Sequence, residues 1–252
     1  MRAETRRQLK QDRFAATVAQ EVAWAGEHRK QLMFGGITVA LLLAAGITLW
    51  YWNGQRNLTA SVRLAEAQRT YEAPIVPAGT PAPPTPAEVP TFTSTTDRAR
   101  AALKIFAEIA DQYSSTASGK IARYYTGLCY RDAGDMASAE TALKKSAGDG
   151  DNERASLAKY ALAEIYVAQK RDGDAANVYN DLAAHPTGVV SRPTALLQLA
   201  QMYEDRKQAE QARSVYQQIA KDDPKSPAGQ YAQARVTELG GAITPPHPAS
   251  QK

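Results

Sequence analysis

GLCYRDAGDMASAETAL (residues 127–143), AEIYVAQKRDGDAANVY (163–179) and AQMYEDRKQAEQARSVY (200–216) align without a gap, and their shared pattern decides the fold. Each opens with a small residue three places before a tyrosine: Gly127 and Tyr130, Ala163 and Tyr166, Ala200 and Tyr203. Nine residues after each tyrosine stands an alanine (Ala139, Ala175, Ala212), and four further on a larger side chain (Leu143, Tyr179, Tyr216). The second half of the pattern occurs once more upstream as Ala102 with Phe106, so the alanines follow one another at 37, 36 and 37 residues. A fixed period of this length is the mark of stacked helix pairs. Small residues let the two backbones of a pair approach, and the leucines and tyrosines fill the groove between them.

The surrounding residues agree. From Asp97 onward the apolar residues keep helical spacing, and no run alternates as a strand would. Gly134-Asp135 ends one helix and opens the next, while Pro186 and Pro224 close the second and third units. One pair alone cannot bury its apolar face, so about three are needed for stability; this chain has three and a half. Ser226-Pro227 through Leu239, followed by Gly240-Gly241, reads as a capping helix with an N-cap serine, a first-turn proline and a glycine stop. The expected fold class is all-α: one N-terminal apolar helix followed by an α-solenoid over residues 97–239, with a disordered tail at 240–252.

Upstream, Leu32–Trp52 is 21 residues without a charge, which as a helix spans roughly 30 Å, enough to cross a bilayer. Trp50, Tyr51 and Trp52 at one end and Arg29 and Lys30 at the other are interface anchors. A cleaved signal peptide is a poorer reading, because the run is long, starts about 30 residues in and lacks a small-residue cleavage site after it. Residues 1–31 carry seven Lys and Arg against four acids, which predicts a cytoplasmic tail. Phe14, Val18, Val22 and Ala25 behind Arg6, Arg7, Lys10 and Arg13 suggest a basic amphipathic helix there. Residues 53–72 read as a helical extension of the span. Residues 73–96 hold Pro74, Pro77, Pro81, Pro83, Pro84, Pro86 and Pro90, and read as a semi-extended linker holding the repeats away from the bilayer.

The net charge of +4 is concentrated in that leading tail, so the remainder is near neutral and offers no basic patch for nucleic acid. Cys129 is the only cysteine, so an intrachain disulfide is excluded. His28, His185 and His247 are far apart in the sequence, and no metal-ligand spacing is present. Gly119-Lys120 faintly suggests a phosphate loop, but Ser114 stands where its first glycine belongs and Ile121 follows the lysine. No catalytic residue, cofactor or small-molecule substrate is assigned.

These residues resemble the tetratricopeptide repeat: small-x-x-Tyr in the first helix, alanine near the start of the second, proline at the end. Arg123, Lys159 and Leu196 replace the early aromatic, and the period exceeds the usual length by two or three residues, implying a longer, degenerate variant. The layout of basic tail, single span and repeat domain resembles the ancillary subunit of the Sec translocon, a family related to the cell-division coordinator repeat domain. That resemblance implies a bacterial inner-membrane protein with a periplasmic repeat domain, binding translocon subunits, exported clients or periplasmic chaperones. An envelope-assembly scaffold without translocon contact is the alternative. In such families the first helices of successive repeats line the concave surface, which maps to Tyr124, Tyr125, Leu128, Arg131, Tyr160, Glu164, Gln198 and Gln201. Tyr124 and Leu128 stand where the carboxylate-clamp variant has lysine and asparagine, so the implied ligand is an extended or helical apolar segment rather than an acidic chain end.

Overall fold

The computed structural model describes residues 29–76, 79 and 90–240. Among them are nine helices: α1 (Arg29–Tyr71), α2 (Thr95–Gln112), α3 (Ala117–Asp132), α4 (Met136–Ala147), α5 (Asn152–Ala168), α6 (Asp172–Ala184), α7 (Arg192–Asp205), α8 (Ala209–Asp222) and α9 (Pro227–Glu238). The expected amphipathic helix of the leading tail, most of the proline-rich stretch and the tail beyond Gly240 lie outside the described residues.

The chain divides into two compact units, one up to Arg56 and one from Asn57 onward. In the first, α1 exposes Phe34, Leu41, Leu42, Leu43, Ile47 and Trp50. By length and composition this helix can cross a membrane, a property that a signal sequence near an N-terminus shares. Arg56 lies over the Trp52 ring at 4.8 Å, an arrangement that tolerates both the apolar body and the charged head at a wet boundary.

In the second unit each helix from α2 onward packs on the next, and the first helices α3 and α5 of successive pairs also touch. The alanines of the repeat, Ala102, Ala139, Ala175 and Ala212, are all fully buried at the crossings. One turn later Phe106, Leu143, Tyr179 and Tyr216 fill the core. Gly127 shows why small residues recur: a Cβ there would fall 2.6 Å from Leu143 Cγ. Ser94, Thr116, Asp135, Asp151, Ser191 and Ser226 cap their helices by accepting a backbone N–H from three residues on, which satisfies donors that a helix start leaves open.

The turn inside each of the three later pairs is the same object. Asp135, Arg171 and Gln208 donate their backbone N–H to the carbonyl of the repeat tyrosine, Tyr130, Tyr166 and Tyr203, at 2.8 to 2.9 Å. The residue before each must adopt a left-handed backbone, and does: Gly134 (φ 87), Lys170 (φ 59) and Lys207 (φ 60). Glycine takes this conformation freely, whereas lysine holds it under strain.

The first pair departs from the expected boundaries. The solenoid does not begin at Asp97, because the end of α1 supplies the missing first helix: Leu64 and Ala67 share a core with Ala102, Phe106, Ile109, Ala110, Ala122 and Cys129. Arg63 reaches Glu108 at 3.3 Å and Gln112 at 3.1 Å on α2. The proline-rich stretch is therefore an insertion within the first pair, not a spacer ahead of the repeats. Its ends are clipped together: Val76 N–H donates to the Phe92 carbonyl (2.8 Å) and Phe92 N–H to the Pro74 carbonyl (3.2 Å).

Candidate functional site

The first helices bring most of the expected surface residues into one cluster. Tyr71 at the end of α1 donates its hydroxyl to Asp132 Oδ2 at 2.8 Å. Arg131 Nε donates to the other oxygen of Asp132 at 3.0 Å, and its Nη1 donates to Glu164 Oε2 on α5, also at 3.0 Å. A hydrogen-bonded chain thus runs from α1 across the end of α3 to the C-terminal half of α5. Charge-assisted bonds of this kind are stronger than neutral ones when partly buried.

Aromatic rings line the chain. Tyr125 stacks on Phe106 with centroids 4.9 Å apart, and meets Tyr71 and Tyr124 edge-on, each at 5.5 Å. Tyr125 is therefore held in the wall of the first core, and Leu128 is buried in the second. Tyr124 is half-buried, and burial raises its hydroxyl pKa, with Tyr125 and Glu164 adding to the shift and Arg131 opposing it. Tyr160 packs edge-on against Tyr179 at 6.1 Å, and burial, with Glu164 beside it, raises its pKa as well. The Glu164 carboxyl is raised by burial in spite of Arg131.

Tyr124, Arg131, Tyr160 and Glu164 thus converge with their side chains partly open, while Tyr125 and Leu128 support them from behind. Gln198 and Gln201 lie one pair further on, on α7, and take no part in the hydrogen-bonded chain. Tyr71 and Asp132 were not among the expected residues. The stripe Ala60, Leu64, Ala67, Tyr71 carries the helical spacing that betrays a packed face, and it belongs to a helix expected only as an extension of the span.

Other candidate groups resolve into structure. Lys120 donates to the Asp149 carbonyl at 3.1 Å, and Thr116 caps α3 through Gly119, so the faint phosphate-loop likeness is a helix start. Cys129 is fully buried and burial pushes its thiol up to about 12, far from the reactive range. His185 ends α6, with Nδ1 3.2 Å from Asp181 Oδ1.

The family described as Tetratricopeptide repeat-like domain matches residues 23–186, and the one described as Tetratricopeptide repeat matches residues 193–236. Among solved structures, the nearly identical TPR-like repeats of a putative kinesin light chain from Podosopora anserina superpose at a TM-score of 0.49 with 13% identity. They cover 71% of this chain and 84% of that one, and a substituted form of the same repeats gives 0.49 at 12%. No curated protein matches the sequence.

Proposed function

We propose, from the premise that this chain belongs to the Tetratricopeptide repeat-like domain family, that it is a membrane-anchored protein-binding scaffold whose first-helix groove receives extended segments of other proteins. α1 is the anchor, with the basic tail cytoplasmic and the solenoid on the periplasmic side of a bacterial inner membrane. The partners are translocon subunits, the exported chains they deliver and the chaperones that receive them.

The observation that carries this reading is the cluster of partly open side chains on α3 and α5. Tyr124, Tyr160 and Arg131 are of the residue types that most often dominate binding energy. They stand partly open over side chains packed into the core, Tyr125 stacked on Phe106 and Leu128 buried, which limits the ordering required when a partner arrives.

The test is affinity purification of the tagged full-length protein in a mild uncharged detergent, beside a Tyr124→Ala/Tyr160→Ala variant whose thermal melt is measured in parallel. Tyr125 is left intact because it belongs to the core. Recovery of exported proteins with translocon subunits by the wild type, and loss of the exported proteins from a folded variant, is the expected result. An unchanged profile, or one made only of envelope-assembly proteins, would overturn it.

A further inference from the structure

The open valences of the cluster carry a chemical preference. Both oxygens of Asp132 are occupied, by Tyr71 and by Arg131. Glu164 gives one oxygen to Arg131; its Oε1 has no partner among the described residues, and its side chain is 42% exposed. Two carboxylates thus share one guanidinium. Arg98 is turned to the Ala73 carbonyl and lies over the Tyr71 ring at 5.8 Å, at the Tyr71 end of the cluster.

Resting on the reading above, we infer that the partner segment enters with a basic side chain, a lysine or arginine, whose charged head is taken by Glu164 Oε1 beside Tyr124 and Tyr160. An ammonium or guanidinium satisfies the open oxygen through a charge-assisted bond and gains from the negative faces of the tyrosine rings. The electrostatics of the free protein point the same way. Burial raises the Glu164 carboxyl, with Asp132 adding to the shift, although Arg131 is 3.0 Å away, and a second cation at the open oxygen would favour its charged form. An acidic segment would meet the same oxygen as a repulsion, which makes the site selective as well as receptive.

Fluorescence anisotropy on the full-length protein in uncharged detergent tests this with two labelled extended peptides. One alternates leucine and serine with lysines interspersed; the other replaces each lysine by glutamate. The lysine peptide is expected to bind and the glutamate peptide not. Glu164→Gln, which keeps shape and removes charge, should weaken the lysine peptide about tenfold, the equivalent of one charge-assisted bond. Glu210→Gln, at an exposed position on α8, alters the net charge equally and should leave binding unchanged.

Equal binding of both peptides, lost in Tyr124→Ala/Tyr160→Ala, would overturn the cation preference and leave the groove reading standing. A lysine peptide indifferent to Glu164→Gln, or weakened as much by Glu210→Gln, would overturn it too, as general surface attraction. If neither peptide binds, the cation preference and the groove reading fail together.

Discussion

The first helix pair and the three that follow it are the same packing unit with different connections. In the later pairs the small residue of the first helix and the alanine of the second are 12 residues apart, Gly127 to Ala139, Ala163 to Ala175 and Ala200 to Ala212; in the first pair Ala67 and Ala102 are 35 apart. The two helices nevertheless share a core, with Ala67 and Ala102 both fully buried and Phe106 where Leu143, Tyr179 and Tyr216 stand later. Closing a loop about three times longer costs only about 1 kcal/mol in a flexible-chain estimate. Burial of one large side chain outweighs that, so the insertion is tolerated because the interface around Phe106 is complete.

The largest expected effect comes from removing that interface. Phe106→Ala should lower unfolding stability by about 3 to 5 kcal/mol, read from a urea titration followed by circular dichroism of the full-length protein. A loss below about 1 kcal/mol would mean that the first pair folds apart from the others, and would break the equivalence. Next comes a close crossing in the second pair. Gly127→Ala places a Cβ 2.6 Å from Leu143 Cγ and 3.3 Å from Leu143 N, and should cost about 1 to 3 kcal/mol of overpacking. Pairing it with Leu143→Ala should recover part of the loss, and a purely additive double variant would disprove the crossing as its cause.

Acid should loosen the join between the second and third pairs. Glu140 accepts from Lys144, Arg171 and Tyr166, and these bonds, Lys144 foremost, hold its carboxyl down to about 2. A depressed carboxyl stabilises fully above its unfolded value and loses that contribution as pH falls toward 2. Glu140→Gln should therefore flatten the dependence of melting temperature on pH between about 4.5 and 2, and an unaltered slope would assign acid lability elsewhere.

The smallest effect is a gain. Lys170→Gly and Lys207→Gly relieve left-handed strain at exposed positions, and should each raise stability by up to about 1 kcal/mol once glycine's entropy is deducted. A rise in melting temperature for both, with none from Lys145→Gly inside α4, would establish that the three turns are one structure written with different residues.

The repeating alanines and tyrosines made the solenoid legible, because each is needed at a close crossing and the period repeats it. The helix caps were legible where Ser226 and Gly134-Asp135 carry the expected chemistry. The first helix of the first pair was not: the proline-rich insertion moves Ala67 out of period, and the helix containing it continues from the apolar segment with no break to mark a new role. Tyr71 was missed for the same reason, and with it the bond that orders Asp132. Lys170 and Lys207 were opaque because lysine gives no local signal of a left-handed turn; only alignment with Gly134 exposes them. In the groove, spacing located Tyr124, Arg131, Tyr160 and Glu164 on one side of the array but could not separate them from Tyr125 and Leu128, whose inward packing depends on Phe106 and Leu143 across the crossing.

The clip between Pro74, Val76 and Phe92 brings the chain back, just before α2, to the point where it left α1. The two bonds of the clip fix both ends of the connection, so the fold has a port at which sequence can be exchanged while the ends stay held. A reporter or a protease site grafted there would ride on the array as cargo.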